Sequence, residues 1–519
     1  MHPGQMIRRS ARIYAGNTAV KVDGFEQTYG EMFERANRLA NALRSLGVLP
    51  GDRVATLGNN GPETLEQVAA CALGNFARAT LYTYHSAETN RYLLEHIGAR
   101  AILVQDTYYK ELQPLLSNLP GLDVVVYGTT PDGALDYEEL IATSSDEEVD
   151  VPVLGSDIHI IRFSSGTTGR PKGIVHSVDR WMAYNSEWRW VTPMLDETST
   201  YFVPVALAHL GVAFLWQTLA VGGCILMQST FEARSALDLL ESENVTHTAV
   251  VPVMIKSMLE LPGCESRSFP HLQCVMYSGS PITQTTLKRA LTVFGPVMFQ
   301  LYAQSEVMPM TMLLPYQHVT EGSDKETARL RSVGRATPNV NLTVRDEDGL
   351  TVPAGVVGEV AATSPGSMSA IWNDPDSFAE RTLPDGSILT RDMGYLDEEG
   401  FLYLVDRKDD MIVSGAYNIW PTELEEVLAE HPGVEDVCVV GVPDERWGET
   451  PKALVVLSPG YEVSETDLIA YSRDRLGGVK KITSVEFVAE LPRSGAGKLL
   501  RAQLKKRFWG TGTVRIRGS

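Results

Sequence analysis

The residues best suited to chemistry lie in one stretch, 164–173, with the sequence SSGTTGRPKG. It contains four hydroxyls, three glycines, two cations and no acid. Glycines let backbone N–H groups approach an anion closely, hydroxyls donate further hydrogen bonds, and Lys172 adds positive charge. The spacing differs from the GxxxxGK[ST] pattern of the Walker A loop. The stretch predicts a phosphate-binding loop, with a solvated polar turn as the alternative.

Three polar or glycine-bearing loops each follow an apolar, strand-like run. The stretch above follows DIHIIRF, SGSP follows CVMY, and the motif YAQSE follows VMFQL. Helical patterns alternate with such runs, which predicts parallel strands with crossover helices and an α/β fold of doubly wound sheets. Because ligands bind at the carboxyl ends of strands in such sheets, the three loops predict one shared site.

Beyond about residue 330 the alternation of strand and helix patterns gives way to a pattern of short strands and turns. Asp-Gly and Glu-Gly turns there predict a β-rich subdomain, and the last part of the chain is typical of a small α+β unit. The charged run DRKDD at 406–410 suits an exposed hinge. We expect an N-terminal domain over 1–406 and a small mobile C-terminal domain over 407–519. The length of 519 residues by itself suggests about three to four folding units.

Composition excludes several classes of function. A formal net charge of -20 argues against a nucleic-acid surface. Five scattered cysteines without a CxxC motif indicate reduced thiols and a cytoplasmic protein, and the N-terminus lacks the apolar core of a signal peptide. The uncharged segment 203–227 is interrupted by Pro204, His209 and Gly222-Gly223. It predicts a loop, a buried helix and a buried strand rather than a membrane span.

Five motifs together resemble the adenylate-forming superfamily, in its acyl- and aryl-CoA synthetase branch. They occur in that family's order and cover essentially the whole chain. The motifs are SSGTTGRPKG, YAQSE (family YGxTE), TRDMGYLDEEGFLYLVDRKDDMI (family TGDxGxxDxxGxxxxxGRxxDxI), SGAYNIWPTELE (family SGGENIxPxEIE) and PRSGAGKLLR (family PRTxxGKxxR). The resemblance implies that a carboxylic acid reacts with ATP to give an acyl-adenylate and pyrophosphate. A thiol, usually that of CoA, then displaces AMP. ATP, Mg²⁺ and CoA are the implied cofactors.

The resemblance also implies a set of nucleotide-binding residues. They are Ser165, Gly166, Thr167, Thr168, Gly169 and Lys172 for the phosphates, Gly279, Ser280, Pro281, Tyr302, Ala303 and Ser305 around the adenine, and Asp392 and Arg407 for the ribose side. Glu306, with Thr167, is expected to hold Mg²⁺, which prefers oxygen ligands. Lys498 is expected to meet the α-phosphate as charge develops during adenylation. Ala303 and Ser305 stand where the family usually has glycine and threonine.

The C-terminal motifs imply motion and a thiol tunnel. Asp409 matches the family's hinge position, about which the C-terminal domain would rotate between two states. Ser414, Gly415 and Ala416 match the stretch that lines the CoA tunnel. Ala416 and Tyr417 replace the family's glycine and glutamate, so the thiol acceptor is open. A carrier-protein phosphopantetheine, an amine or another nucleophile is the alternative to CoA.

The acyl substrate is partly readable. His209, 13 residues before Gly222, stands where amino-acid-activating relatives place an aspartate for the α-amine. An imidazole offers no permanent negative charge, so an acid without an α-ammonium group is favoured. His209 is therefore a catalytic and acyl-site candidate, with a packed core histidine as the alternative. The apolar neighbours expected around it favour an aromatic or medium-chain acid: Val205, Leu207, Val212, Trp216, Val307 and Met308.

Three functional hypotheses follow. The preferred one is a CoA ligase, the second keeps adenylation with another acceptor, and the third is a non-catalytic nucleotide-binding homologue. The expected partners are a small carboxylic acid, ATP and CoA, with no nucleic acid and no membrane span. A homodimer is compatible with these expectations.

We expect Lys498→Ala to abolish most adenylation. Loss of a donor that stabilises developing charge typically lowers a rate by roughly 10² to 10³. Thioester formation from a pre-made acyl-adenylate should suffer much less. Pyrophosphate release measures the first step, and unimpaired release in the variant would remove Lys498 from this role.

Overall fold

The computed structural model describes residues 2–117, 119–131, 133–164, 171–208, 210–414, 417–477, 480–493 and 499–509. The chain divides into two compact units rather than the three or four that its length suggests. The first comprises Met1–Leu342 and Ala362–Ile388, and the second comprises Thr343–Ala361 and Leu389–Ser519. The first unit is large because two sheets share one core, which contains Val54 and Leu103 from one sheet and Val20 and Ile225 from the other.

Two sheets organise the first unit. Among the described residues, the larger sheet has nine strands in the spatial order Arg335–Ala336, Thr311–Leu313, Met298–Tyr302, Cys274–Tyr277, Val245–Val250, Thr200–Val203, Cys224–Met227, Thr18–Val22 and Phe25–Thr28. The other has eight, in the order Ala370–Ile371, Lys172–Ser177, Ile158–Ser164, Ala77–Thr80, Arg53–Leu57, Ala101–Gln105, Asp123–Tyr127 and Leu135–Asp136. The central strands of both sheets are parallel, as the alternating pattern predicts.

Helices cover both faces of these sheets. Successive residues of the strand Ala101–Gln105 alternate between two cores: Leu103 lies in the core shared by the sheets, whereas Ile102 and Val104 pack on the outer face. Such a strand must be apolar on both sides, which explains its continuous hydrophobic sequence. The described helices of this unit are Pro3–Ile13, Tyr29–Ser45, Pro62–Gly74, Ala87–Ile97, Asp106–Leu116, Tyr137–Thr143, Val178–Glu187, Leu215–Val221, Ala233–Ser242, Pro252–Leu259, Gln284–Phe294, Asp324–Ala328 and Pro375–Arg381.

The second unit combines two smaller sheets with three described helices. One sheet has the order Asn341–Arg345, Gly358–Thr363, Ile388–Leu396 and Leu402–Arg407, and its first three strands cross the division between the units. The other has the order Tyr417–Ile419, Ile412–Ser414, Gly448–Leu457 and Val434–Asp444, with Ser484–Phe487 paired to Gly448–Leu457. The helices are Pro421–Ala429, Glu465–Leu476 and Arg501–Trp509. Pro421 occupies the first turn of its helix, where its missing N–H costs nothing.

The segment 203–227 contains no membrane span. It forms the end of the strand Thr200–Val203, a short 3₁₀ turn at Leu210–Val212, the helix Leu215–Val221 and the strand Cys224–Met227. None of the helices in the described part of the chain has the length and apolar character that a membrane crossing needs. All five cysteines are free thiols.

A buried charge cluster lies inside the second unit. Arg501 Nη2 lies 2.6 Å from both carboxylate oxygens of Glu425, and its Nη1 lies 3.3 Å from Asp410 and 3.6 Å from Asp406. Burial raises the pKa of Glu425 and of Asp406, and the guanidinium opposes that shift. Arg501 therefore favours the charged form of Glu425 and Asp406, which burial alone would disfavour.

We expect Arg501→Met to destabilise the protein by about 3–5 kcal/mol, because it leaves buried carboxylates without their cation. The folded-state pKa of Glu425 and Asp406 then rises further above the unfolded value, so the folded state binds more protons. The stability of the variant is consequently lost as pH rises, and the deficit should be larger at pH 8 than at pH 5. Urea unfolding of the full chain measures it.

The matched control is Arg507→Met, which removes an exposed pair with Glu486 and should cost under about 1 kcal/mol. Equal losses in the two variants, or a deficit independent of pH, would contradict the role given to Arg501.

Candidate active site

Two of the three polar loops lie at one edge of the nine-stranded sheet. The strands Cys274–Tyr277 and Met298–Tyr302 are parallel neighbours, with Tyr277 opposite Gln300. Residues 278–281 and 303–306 therefore leave the sheet on the same side, at the carboxyl ends that the fold class predicts for a ligand. The third loop follows the strand Ile158–Ser164, which belongs to the eight-stranded sheet.

The backbone of the YAQSE motif is fixed to elements outside its own sheet. The Nε2 atom of His176 lies 2.8 Å from the carbonyl oxygen of Ser305. Burial lowers the pKa of His176 to about 3, so the ring is neutral at pH 7 and this nitrogen donates to the carbonyl. The amide of Met368 donates to the carbonyl oxygen of Glu306 at 2.8 Å. These bonds hold Glu306 beside the strand Lys172–Ser177.

Lys172 is bound at the N-terminus of a short helix, Pro375–Arg381. Its ammonium group lies 2.9 Å from Asp374 Oδ2 and also contacts the Ser377 hydroxyl. The other oxygen of Asp374 caps the helix by accepting the amide of Ser377 at 3.0 Å. The bonds from Ser377 and Lys172 lower the pKa of Asp374 to about 2, so the carboxylate is charged across the physiological range. Sequence reasoning found Lys172 but neither of its partners, although the pattern NDPDS is a recognisable helix start.

Glu306 lies at the other end of the same helix. Its Oε1 atom is 3.5 Å from Nη1 of Arg381, whose Nη2 is 3.4 Å from the side-chain oxygen of Gln304. The Glu306 and Arg381 side chains are 12% and 14% exposed. The helix Pro375–Arg381 therefore contacts Lys172 near its start and Glu306, through Arg381, at its end.

The residues present fit a magnesium ion of the kind that ATP brings with it. Mg²⁺ usually binds one or two protein carboxylates together with substrate phosphates and water. Glu306 is the carboxylate predicted for this role. In the part of the chain that the structure describes, no group of three or more His, Cys, Asp or Glu side chains could hold a metal ion without a substrate.

The predicted adenine segment is accessible on the first unit. Gly279 has φ +93, a left-handed conformation that favours glycine, and the space beside it would admit a methyl group. Gly279 and Pro281 are exposed and Ser280 is half-buried, whereas Tyr302 is largely buried at the end of its strand. Ala303 is partly buried against the shared core. Their roles toward adenine stay predictions.

The two predicted ribose-side residues face each other in the second unit. Asp392 lies on the strand Ile388–Leu396 directly opposite Arg407 on the strand Leu402–Arg407. The Arg407 Nε atom is 3.3 Å from Asp392 Oδ1. The sequence places these residues in two separate parts of one motif, and the antiparallel pairing brings them together.

Arg391 is a residue that sequence reasoning missed. It stands at the glycine of the TGDxG pattern and has φ +61, a strained conformation for a residue with a side chain. Its guanidinium lies 3.2 Å from Asp409, the predicted hinge residue, and its amide donates to Glu359 at 3.0 Å. The sequence TRD contains a signal for this residue, because arginine stands where the family motif TGDxG has glycine. A bond from the arginine side chain would offset the strain of the left-handed backbone.

Several predicted residues lie outside the described part of the chain: Ser165, Gly166, Thr167, Thr168, Gly169, His209, Gly415, Ala416 and Lys498. Ser414, the remaining tunnel candidate, pairs with Tyr417 in the hairpin formed by Ile412–Ser414 and Tyr417–Ile419.

The predicted acyl-pocket residues are buried. Val212, Trp216 and Met308 lie in the core shared by the two large sheets, and Val307 is also inaccessible. The indole nitrogen of Trp216 is buried and has no hydrogen-bond partner within the described ranges. The apolar character expected of this region is therefore accompanied by an unsatisfied donor.

Comparison with known proteins places this geometry in a family. Residues 7–372 match the model of the AMP-binding enzyme family, and residues 423–498 match its AMP-binding enzyme C-terminal domain. The chain is 34% identical over 509 residues to a feruloyl-CoA synthase of Amycolatopsis sp, with coverage of 96% of this chain and 98% of that protein. It is 32% identical over 507 residues to the fatty acid–[acyl-carrier-protein] ligase ScoC of Streptomyces coeruleorubidus, with coverage of 96% and 95%.

A solved structure agrees with the fold. The amide bond synthetase McbA from Marinactinospora thermotolerans superimposes with a TM-score of 0.85 at 28% identity, and the match covers 98% of this chain and all of that one. The family predicted from the five motifs is thus confirmed, as is its α/β architecture. This chain belongs to the AMP-binding enzyme family.

Proposed function

We propose that this protein is an AMP-forming acid–thiol ligase that activates a hydrophobic carboxylic acid with ATP and transfers the acyl group to CoA. In the first step a carboxylate oxygen of the acid attacks the α-phosphorus of ATP. The bond from that phosphorus to the bridging oxygen breaks, and pyrophosphate leaves. In the second step the thiol sulfur attacks the acyl carbon, the bond to the AMP oxygen breaks, and the thiol proton passes to solvent.

The observation that carries this proposal is the pair of charges at the ends of the helix Pro375–Arg381. Lys172 is a cation for the phosphates that leave, and Glu306 is a carboxylate that suits their magnesium ion. Neither step needs a nucleophile from the protein, so the site works by positioning and by stabilising charge. Magnesium, when bound with ATP, withdraws charge from the phosphates. Lys172 and Glu306 orient that complex.

The acceptor is the less determined part of the proposal. CoA is favoured because several relatives are named CoA ligases, among them the feruloyl-CoA synthase. The carrier-protein ligase ScoC and the amide bond synthetase McbA support the alternative, transfer to a carrier protein or an amine. Tyr417, which replaces the family's glutamate in the tunnel motif, is 53% exposed and so is free to contact an acceptor.

The setting of the reaction follows from its reagents. Five free thiols suit a reducing compartment, and we place the enzyme in the cytoplasm, with an acid, ATP and CoA as its small-molecule partners. The homodimer stays a prediction, which light scattering on the purified chain can check. Rotation of residues 407–519 about Asp409 also stays a prediction. Arg391, which forms an ion pair with Asp409, precedes the residues that would rotate.

We expect the protein to convert ATP and an aromatic or medium-chain acid into AMP, pyrophosphate and an acyl-CoA. The products are measured by chromatography in parallel reactions with CoA, with a phosphopantetheinyl carrier protein and with a simple amine. A thioester formed with CoA alone supports the proposal. AMP with no acyl-CoA, but with an acylated carrier protein or amide, would establish the alternative acceptor, and ADP as the product would contradict both.

We expect substitutions of Lys172 and of Asp374, which pair at the start of the helix Pro375–Arg381, to change the KM for ATP in opposite directions. Lys172→Ala should raise the KM for ATP about tenfold, which corresponds to about 1.4 kcal/mol of lost binding. Asp374→Asn keeps a good capping residue but removes the charge that neutralises Lys172, so the KM for ATP should fall about two- to threefold. The double variant should resemble Lys172→Ala, because Asp374 acts on ATP through Lys172.

The matched control for this pair is Glu260→Gln, which removes an exposed ion pair with Lys256 elsewhere on the first unit and should leave the KM unchanged. If Asp374→Asn instead raised the KM for ATP as much as Lys172→Ala, then Asp374 would serve to position Lys172 for ATP rather than to compete with ATP for its ammonium group.

A further inference from the structure

Two arginines lie in the interior of the first unit, and neither has an acidic partner among the described residues. Arg78, on the strand Ala77–Thr80, is 3% exposed, and Arg162, on the strand Ile158–Ser164, is 7% exposed. Arg78 is opposite Ile160 on the neighbouring parallel strand, so Arg162, two residues further on, projects from the same face of the sheet. No carboxylate of the described residues lies within ion-pair distance of either. Arg78 Nη2 and Arg162 Nε are both buried without a hydrogen-bond partner there.

Both guanidinium groups remain charged. Arginine does not lose its proton at physiological pH, and although burial lowers the pKa of Arg78 to about 10, that value is still well above 7. An uncompensated charge inside a protein costs several kcal/mol in lost hydration. An anion that entered this region would recover part of the cost.

Arg162 lies beside the predicted acyl pocket. Its Nη1 atom is 2.9 Å from the sulfur of Met308, one of the residues expected to line that pocket. A thioether is a weak acceptor and carries no charge, so this contact does not neutralise the guanidinium. Arg78 makes no such contact with those predicted pocket residues that the structure describes. Of the two arginines, Arg162 is therefore the one placed to meet a substrate.

The core that contains Met308 also holds donors without a partner among the described residues. The indole nitrogens of Trp181 and Trp216 are buried without a partner in the described part of the chain. Trp181 packs on Tyr184 with ring centroids 5.3 Å apart, and Met308 and Trp216 belong to the same core. A plain hydrocarbon tail would leave these donors unsatisfied, which is unfavourable for each of them. A tail that ends in oxygen acceptors would satisfy them.

We propose that Arg162 binds a second anionic group at the far end of the substrate, so that the preferred acids are dicarboxylic, with a hydrophobic spacer between the two carboxylates. The inference rests on the proposed ligase function and names its substrate class. A carboxylate matches the planar fork of a guanidinium with two parallel hydrogen bonds, which gives both affinity and orientation. The reacting carboxylate stays at the nucleotide, and the second one fixes the depth to which the spacer enters.

The test compares acids of equal length with one and two carboxylates: hexanoate with adipate, and 4-methylbenzoate with terephthalate. We expect kcat/KM for pyrophosphate release to be at least about tenfold higher for the diacid of a pair. Arg162→Met should remove that preference, lowering kcat/KM for the diacid by about 30- to 100-fold while the monoacid changes little. These ratios correspond to the about 2–3 kcal/mol of a charge-assisted pair. Arg162→Lys should restore part of the preference.

Arg78→Met is the matched control, because it removes a buried guanidinium from the same face without touching the pocket, and it should leave the preference unchanged. Replacement of a buried ion by an apolar residue of similar volume is often neutral or stabilising, so Arg162→Met should fold with an unchanged or raised Tm. A monoacid preferred by the wild-type protein would overturn the proposal. So would an equal loss for both acids in Arg162→Met, which would assign Arg162 to the reacting carboxylate or to the fold.

Direct binding separates this inference from the proposed function. If no acid supported pyrophosphate release, adipate should still raise the Tm of the wild-type protein and of Arg78→Met but not of Arg162→Met. An equal shift in all three, or no shift in any, would refute the site at Arg162 independently of turnover.

Discussion

The candidate active site depends on the short helix Pro375–Arg381, which contacts groups of opposite charge at its two ends. Asp374 holds Lys172 at its N-terminus, and Arg381 approaches Glu306 at its C-terminus. The carbonyl of Glu306 is bonded in addition to the amide of Met368, which precedes the helix in the chain. The loop of one large sheet and the strand Lys172–Ser177, which is second from the edge of the other, are thereby held at fixed positions in the same unit. Phosphate chemistry needs such fixed charges, because the proposed reaction uses no nucleophile from the protein and depends on positioning and charge stabilisation.

Two buried arginines of this chain differ in whether acidic side chains surround them. We assign the first to the stability of the fold and the second to substrate binding. Arg501 is surrounded by Glu425, Asp406 and Asp410, and its charge is compensated within the second unit. Arg162 is also buried, and in the described part of the chain it contacts the sulfur of Met308 and no carboxylate. The first arrangement maintains the fold, since its acids need their cation. The second is costly to the fold by itself, and that cost is what makes a bound anion its natural complement.

Much of the fold can be predicted from the sequence, because periodicity is local. The runs RVATLG, AILVQ and DVVVYG form strands, and the uncharged segment 203–227 breaks where Pro204 and the pair Gly222-Gly223 predict. The core that the two large sheets share could not be predicted, because it depends on packing between distant segments. The motifs also identify the family correctly, since five ordered patterns carry far more information than any one of them.

The residues that contact the site residues could not be predicted from the sequence. Lys172 and Asp374 are 202 positions apart, and Arg162 and Met308 are 146 apart, so no local pattern connects them. At Arg391 the structure explains a feature that is visible in the sequence. The left-handed backbone accounts for the glycine of the family pattern at this position. The ion pair with Asp409 gives a reason why this chain has an arginine there instead. Such pairs become visible only when the chain is folded.

The most direct test of adenylation is the exchange of labelled pyrophosphate into ATP. The reaction mixture contains the protein, ATP, Mg²⁺ and radiolabelled pyrophosphate, with and without a carboxylic acid, and no thiol. If an acyl-adenylate forms reversibly, label enters ATP only when an acid is present. Label that enters ATP without any acid, or no exchange with any aromatic, medium-chain or dicarboxylic acid, would contradict the account.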